Sequence, residues 1–343
     1  MTESILTSVP DPNLISSTLP PISSTSNLTS NQSSNVKLDL RNQLFDLDRD
    51  DLMELPESIL LCLFPNGLVL SQKHQQQQQQ HHQDNQLDDH SDQINESDHE
   101  IYYVDFDGSC LAYILKFFND ARLTYYGSLN RDLNHLHQPL NLPPNLQSPL
   151  FSHQAIIALR EELEYFVIPP NLGSNSDSKL PHPQHHNLIQ LKQTCGDSLL
   201  ENKNIFTPFQ KNINRENNLA EQHLIDMLCM SGFNRDDQWG YRSMEPKRCC
   251  ITSLGLVLLK TGITYDHPDG IQITGPSNPS QLLNPQINSN QFATAQKLLL
   301  FWRKPARKCW WDTSELEVNL PNQPSYLVKL WVRRVWTLEL SLI

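Results

Sequence analysis

Four residues in the second half of the chain are of the types that bind zinc. His223 and Cys229 are separated by five residues, and Cys249 and Cys250 follow nineteen residues later. Thiolate and imidazole are ligands that zinc prefers. The same residues also fit a structural interpretation, with buried thiols and a histidine on the surface of a helix. We favour that interpretation, so the sequence predicts no metal and no cofactor; stoichiometric zinc in the purified protein would reverse it.

A pair of adjacent carboxylates lies in the segment FNRDDQWGYRSMEPKR, close to two arginines. Paired carboxylates can serve acid–base catalysis, but the side chains of adjacent residues point in different directions. The chain has no Gly-rich phosphate loop, no nucleophile elbow and no metalloprotease helix. We therefore predict a salt-bridged turn or a partner-binding surface in a protein that is not an enzyme. The candidate contacts are Arg235, Asp236, Asp237 and Trp239.

A third segment, FWRKPARKCWW, interleaves aromatic rings with cations. Such a mixture can stack nucleic-acid bases, and it is also typical of protein-interaction hot spots. We rank a hairpin with a solvated basic turn first, a site for an acidic protein or an anionic lipid second, and RNA third. The candidate contacts are Trp302, Arg303, Lys304, Trp310 and Trp311.

The composition predicts that a chain of this length is only partly ordered. Of 343 residues 38% are hydrophobic, and proline (23) is more frequent than glycine (11). This hydrophobic fraction is low for a fully compact chain of this length, so we expect a substantial disordered fraction. The seven cysteines form no regular framework, which favours reduced thiols in a cytosolic or nuclear protein. No signal peptide and no membrane-spanning segment is predicted.

The charge is divided unevenly along the chain. Residues 1–218 hold 13 Lys/Arg and 27 Asp/Glu, a net charge of −14, whereas residues 219–343 have a net charge of +2. Because phosphate contacts need cations, the acidic front half argues against nucleic acid as the main partner. The asymmetry favours two separate units.

The first half reads as alternating ordered and low-complexity segments. Residues 1–35 predict a disordered tail, and the alternation over 36–48 predicts a hairpin of two strands. A helix follows Pro56, and a Gln/His-rich insertion covers 73–99. After it, a short strand at Tyr102–Val104 leads into an amphipathic helix, which carries Leu111, Ile114, Leu115 and Phe118.

The next ordered segment is QAIIALREELEYFVIPP. Its spacing predicts a helix with Ile156, Leu159, Leu163 and Phe166 on one face, ended by two prolines. A polar spacer at 124–150 precedes this helix, and a disordered linker at 171–218 follows it.

The last 125 residues predict a second unit rich in strands. LAEQHLIDMLCMSGF has the pattern of a helix that ends at Gly232, and KRCCITSLGLVLLK is ambiguous between strand and buried helix. KLLLFWRKPARKCWWD predicts a hairpin turning at KPA. The final segment, LVKLWVRRVWTLELSLI, predicts a strand whose apolar stripe is broken only by Arg334.

The order strand, strand, helix, strand, amphipathic helix, followed by LREELEYFVIP, resembles the BTB/POZ fold of the potassium-channel tetramerisation (KCTD) type. GFNRDDQWGYRSMEPKRCCITSLGLVLL and RKCWWD…VKLWVRRVWTLELSLI are similar to the fungal growth-regulation (whisky-type) stress-response proteins. The resemblance covers residues 36–170 and 219–343. It implies that the BTB-like module self-associates or docks a partner through helix and sheet-edge surfaces. The candidate residues there are Asp105, Asp107, Phe117, Phe118 and Asp120.

We therefore predict an α+β protein with a BTB/POZ-like domain at 36–170, interrupted by the low-complexity insertion, and a C-terminal α+β domain at 219–343 rich in antiparallel strands. The resemblance implies an adaptor or scaffold in stress response and nutrient-dependent growth restraint. It would bind or activate a phosphatase in the cytoplasm, at the periphery of the plasma membrane or partly in the nucleus. The alternative is a cullin-linked substrate receptor of a ubiquitin ligase, since Phe118-x-Asp120 loosely matches a cullin-binding motif. A nucleic-acid-binding regulator is the third interpretation.

Overall fold

The computed structural model describes residues 35–64, 69–70, 101–126, 148–168, 185–216, 219–266, 272–273, 275, 284–319 and 325–343. In chain order their strands are β1 Asn35–Leu40, β2 Gln43–Asp48, β3 Val69–Leu70, β4 Ile101–Val104, β5 Ala155–Ile168, β6 Tyr241–Met244, β7 Cys250–Leu258, β8 Ile263–Asp266, β9 Gln272–Ile273, β10 Gln286–Ile287, β11 Ala306–Val318 and β12 Tyr326–Leu342. Their helices are α1 Arg49–Met53, α2 Glu57–Leu63, α3 Gly108–Tyr126, α4 His185–Glu201, α5 Phe206–Glu216, α6 Leu219–Ser231 and α7 Ser289–Trp302.

A small sheet is built from the N-terminal strands in the order β2-β1-β4-β3. The β1–β2 hairpin turns at Arg41 and Asn42, whose φ angles are 49° and 73°. Positive φ at both central residues is the geometry that matches the twist of a hairpin. Strand β4 runs parallel to β1, and β3 pairs antiparallel with β4. The predicted hairpin and the strand at Tyr102–Val104 are confirmed.

Strands β3 and β4 lie on either side of the Gln/His-rich insertion. Leu70 is paired with Tyr102, so residues 71–100 connect two neighbouring strands of one sheet. The insertion itself lies outside the described residues. So do residues 1–34 of the tail predicted at 1–35, whereas Asn35 is the first residue of β1.

Helices α2 and α3 cover the small sheet with the apolar faces that their spacing predicts. The buried side chains of this core include Leu38, Leu40, Ile59, Leu63, Val104, Leu111, Ile114 and Phe118. Helix α3 continues to Tyr126, and Leu150 and Phe151 are buried in a 3₁₀ turn at Pro149–Phe151. Both ends of the predicted spacer at 124–150 are therefore ordered, because each has apolar side chains to bury, while 127–147 lies outside the described residues.

The large sheet is antiparallel throughout and has the order β11-β12-β5-β7-β6. Strand β5 lies at its centre, paired with β12 along all fourteen of its residues and with β7 from Ile156 to Glu164. The predicted C-terminal strand is confirmed as β12, and the ambiguous segment is strand β7.

The segment predicted as a helix at 155–166 is strand β5, so that prediction is wrong. Residues 155–159 are buried on both faces of the sheet, which makes the run continuously apolar instead of alternating. Alternation begins only at Glu161, where the residue facing the core is charged and hides the two-residue period.

The predicted linker at 171–218 is also corrected. Residues 185–201 and 206–216 are helices α4 and α5, with Leu191, Cys195, Phe209 and Ile213 buried. Their apolar side chains have a sheet to pack against, which the local composition does not reveal. Residues 169–184 lie outside the described ranges.

The division into separate domains at 36–170 and 219–343 is likewise corrected, because Asn35–Ile343 form one compact unit. The large sheet takes β5 from the first predicted domain and four strands from the second. In the basic tryptophan segment, the first arm of the predicted hairpin is helix α7 and only the second arm is strand β11.

Two faces of the large sheet carry the cores. One face packs against α5, α6 and α7 near Leu159, and against α4 near Leu163. The opposite face packs the N-terminal helices and strands against Ile156 and Ala158, at one end only.

Candidate functional site

A buried charge cluster ties three strands of the large sheet together. Glu161 on β5 is fully buried, and its two carboxylate oxygens each accept a hydrogen bond of 2.9 Å, from Arg242 on β6 and from Arg334 on β12. The indole N–H of Trp336 donates to the second oxygen at 3.0 Å. Arg242 also donates to Ser253 on β7.

This arrangement determines the ionisation of Glu161. Burial by itself raises the pKa of a carboxyl group, but the charges of Arg334 and Arg242 and the hydrogen bonds outweigh it, so the pKa lies below its ordinary value. Glu161 is therefore ionised and paired with two cations. This pairing explains why an arginine, Arg334, interrupts the predicted apolar stripe of β12.

The far end of the sheet face that carries the N-terminal core exposes three large aromatic rings. We call Phe166, Trp311 and Trp331 the aromatic surface; they are 48%, 46% and 40% exposed. Trp331 lies directly opposite Phe166 across the β5–β12 pair. The ring centroids of Phe166 and Trp311 are 5.9 Å apart and those of Trp311 and Trp331 are 6.4 Å apart. The rings therefore form one contiguous patch.

Charged groups border the aromatic surface. The ammonium of Lys329 lies 5.8 Å from the centre of the Trp331 ring, within the range of a cation–π contact. Arg333 is paired with Glu164 at 3.4 Å. An apolar centre with a polar border is the usual anatomy of a protein-interaction site.

Of the candidate residues in the basic tryptophan segment, only Trp311 belongs to the aromatic surface. Trp302 and Trp310 are 7% and 5% exposed and pack in the core, where the Trp310 and Trp336 rings are 5.1 Å apart. Arg303 and Lys304 are exposed at the end of α7.

The candidate residues after helix α6 lie in a turn with a salt bridge, which is one of the two structures predicted for this segment. Arg235 is paired with Asp226, and the carboxylate of Asp237 accepts the backbone N–H of Asn234 at 2.7 Å. Asp236 is exposed. Trp239 is buried against Trp336, with ring centroids 6.2 Å apart.

The N-terminal candidates serve mainly internal contacts. Asp105 is paired with Arg41 at 2.7 Å. Asp107 accepts the backbone N–H of Ser109 at 2.8 Å at the start of α3, and it contacts Tyr241 and Ser243 on β6. Phe118 is 2% exposed, Phe117 packs beside it in the same core, and Asp120 is exposed and paired with Lys116 at 2.6 Å.

Two residues of the aromatic surface, Phe166 and Trp331, were missed by the sequence reasoning. Phe166 was assigned to a helical core stripe, and Trp331 lies one residue out of step with the apolar stripe of β12. That offset is the signal that could have found Trp331, since alternate residues of a strand face opposite sides.

Within the described part of the chain, no group of three or more His, Cys, Asp or Glu side chains could hold a metal ion. The four candidate zinc ligands therefore do not come together in such a group. His223 is exposed on α6, and Cys250 is buried. Burial raises the pKa of the Cys250 thiol to about 11, so it is protonated at neutral pH.

The sequence of this chain is similar to curated fungal proteins over most of its length. A WHI2-like protein of Schizosaccharomyces pombe is 36% identical over 310 residues, which cover 90% of this chain and 88% of that protein. The chain belongs to the WHI2-like family. A growth regulation protein of Saccharomyces cerevisiae is 25% identical, with 90% of this chain and 91% of that protein covered.

Neither a protein-family profile nor a solved structure matches the chain. Among the helices that the structure describes, none is both long and apolar enough to cross a membrane.

Proposed function

We propose that this WHI2-like chain takes part in growth control and acts by binding other proteins. The names of the relatives support the first part, because one is a growth regulation protein. The aromatic surface supports the second part. Tryptophan and other aromatic residues are enriched at binding hot spots, and an exposed apolar patch with a polar border is typical of an interaction site.

We also propose that the chain is not an enzyme. The ionisable groups around the large sheet support this view. The buried thiols Cys195 and Cys250 have pKa values raised to about 11 by burial, which keeps them in the unreactive protonated form. Glu161 is engaged by two arginines and a tryptophan, so it is held as a structural anion.

The proposed partner is a phosphatase, and the proposed setting is the stress response under nutrient limitation, as the resemblance implies. We place the protein in the cytoplasm or at the cell periphery. Self-association would involve the N-terminal elements from β1 to α3, which we propose to be BTB-like. Their order of hairpin, helix, parallel strand and helix supports this assignment.

Replacing both exposed tryptophans tests the proposal. The double variant Trp311→Ser, Trp331→Ser should weaken partner binding at least about tenfold, because hot-spot rings contribute most of the binding energy. Its thermal midpoint should fall only modestly, since both side chains lie at the surface and are 46% and 40% exposed. The full chain would be tagged in a fungal strain lacking the endogenous copy, and partners would be quantified by affinity purification and mass spectrometry alongside growth under nutrient limitation.

The matched control is Leu300→Ser, Phe301→Ser on α7, whose side chains are 78% and 68% exposed. We expect the control to keep its partners and to restore normal growth restraint. Unchanged partners and growth with the tryptophan variant would contradict the proposal. Recovery of a cullin in place of a phosphatase would favour the ubiquitin-ligase alternative.

A further inference from the structure

Strand β5 extends beyond the end of β7, its neighbour on one side. Glu164 pairs with Cys250, the first residue of β7, and the N–H of Tyr165 donates to the carbonyl oxygen of Cys249 at 3.0 Å. Strand β5 then continues to Ile168, and of the strands that the structure describes only β12 pairs with this last part. Val167 therefore has no β7 residue opposite it.

The backbone of Val167 faces this open side. In an antiparallel strand, the N–H and C=O groups of alternate residues point to the same neighbour. Since Tyr165 donates towards the β7 side, Val167, two residues further, also directs its N–H and C=O there. Among the described strands, none pairs with this short piece of sheet edge, so it can accept another strand.

A groove of about 510 Å³ lies along this edge. It is lined by residues 164–167 of β5, by Lys192 on α4 and by residues 248–250. Because Phe166 also belongs to the aromatic surface, the groove opens directly beside that patch.

The charges of the groove favour an anionic occupant. Lys192 and Arg248 are both exposed, and within the described ranges neither forms an ion pair. The one carboxylate in the lining, Glu164, is engaged by Arg333 at 3.4 Å. Among the described lining residues, two cations therefore line the groove, and the one carboxylate there is paired with Arg333.

We propose that an extended acidic segment of a partner protein adds to the edge of β5 in this groove. Its backbone hydrogen-bonds the N–H and C=O of Val167, its carboxylates reach Lys192 and Arg248, and an apolar side chain packs on Phe166. Addition of a strand to an open edge is a recurrent mode of peptide recognition, in which the backbone gives affinity and the side chains give specificity. The inference rests on the proposed function, since it names the chemistry of the partner.

Binding of a fluorescein-labelled peptide of alternating threonine and glutamate, measured by anisotropy with the full chain, tests this. The variant Lys192→Glu, Arg248→Glu should weaken binding about tenfold or more, because two attractions become repulsions. Lys211→Glu, Lys297→Glu reverses two exposed cations elsewhere and should bind like the wild type. The same peptide with lysine in place of glutamate should not bind.

A substitution at Val167 tests the strand pairing separately from charge. Val167→Pro removes the N–H that faces the groove but no hydrogen bond to β12, and proline is tolerated at a sheet edge. It should weaken peptide binding several-fold, whereas Val167→Ala keeps the donor and should bind normally. The thermal midpoints of both variants establish that they fold.

Three results would overturn the inference. The first is equal binding of the lysine peptide, and the second is no effect of the charge reversal. The third is peptide binding that appears only after the acidic residues between 84 and 100 are neutralised, because this would assign the groove to the chain's own acidic segment. If the peptide fails to bind while the tryptophan variant still loses its cellular partners, the groove inference is wrong and the proposed function stands.

Discussion

Glu161→Gln should strongly destabilise the protein, because it removes the anion that two buried arginines contact. In the wild type, Arg242 and Arg334 each have a hydrogen bond of 2.9 Å to this carboxylate, and their side chains are 5% and 6% exposed. Breaking a buried ion pair by removing one partner costs about 3–5 kcal/mol. Two arginines share this one partner, so we expect about 4 kcal/mol, or a fall in thermal midpoint of about 10 °C.

Urea unfolding followed by tryptophan fluorescence measures the free energy of unfolding, with Glu162→Gln as the matched control. Glu162 is the next residue along β5, but its side chain is 44% exposed and paired with Arg160, so its loss should cost less than about 1 kcal/mol. A variant that replaces Glu161, Arg242 and Arg334 together by apolar residues should recover most of the stability, because no charge is left buried without a partner.

The stability difference between wild type and Glu161→Gln should also depend on pH. The pKa of Glu161 in the folded state lies below its ordinary value of about 4.3. Its contribution is therefore complete above that ordinary value and is lost as the pH falls through the folded pKa. The reasoning is refuted if Glu161→Gln costs less than about 1 kcal/mol at neutral pH, or if the difference from wild type stays constant well below pH 4.

Three further results are expected. Phe118→Ala should lower the free energy of unfolding by about 3–5 kcal/mol in urea titrations, since it opens a cavity in the N-terminal core. Loss of a partner without this destabilisation would contradict the buried position of Phe118. Glu339→Ala should cost about 1 kcal/mol, because its carboxylate accepts the N–H groups of Glu57 and Ser58 at 2.7 and 2.8 Å at the start of α2; calorimetry beside Glu317→Ala, an exposed control, would measure it. Deleting residues 73–99 should leave the thermal midpoint within about 2 °C, because the deletion only shortens the connection between β3 and β4; failure to obtain folded protein would contradict this.

Local patterns were sufficient for the elements whose apolar residues recur at a regular spacing in the sequence. The β1–β2 hairpin has strict alternation and a turn at Arg41–Asn42, and α3 has apolar residues at helical spacing, so both were predicted correctly. Strand β12 was predicted from the alternation of its sequence, although Arg334 faces the core and residues 336–340 are buried on both faces of the sheet. Each of these segments carries the signal of its own packing.

The central strand and the helices that cover it could not be predicted in this way. The first residues of strand β5, 155–159, are buried on both faces, and the charged Glu161 that follows them faces the core. The sequence therefore has no two-residue period and resembles a helix rich in Ala, Leu and Glu. Helices α4 and α5 look like polar linker until a sheet is available to bury Leu191 and Phe209.

The sequence by itself determined which segments are apolar at a regular spacing, the acidic charge of the front half and the position of the low-complexity insertion. The tertiary structure decided which tryptophans are available to a partner, because exposure depends on which face of the sheet is covered by other elements. Trp310 and Trp311 are adjacent in the chain, yet one packs against Trp336 in the core and the other lies beside Phe166 on the aromatic surface. It also decided that Glu161, Arg242 and Arg334, which are distant in the chain, meet inside the protein, since only strand pairing brings their charges together.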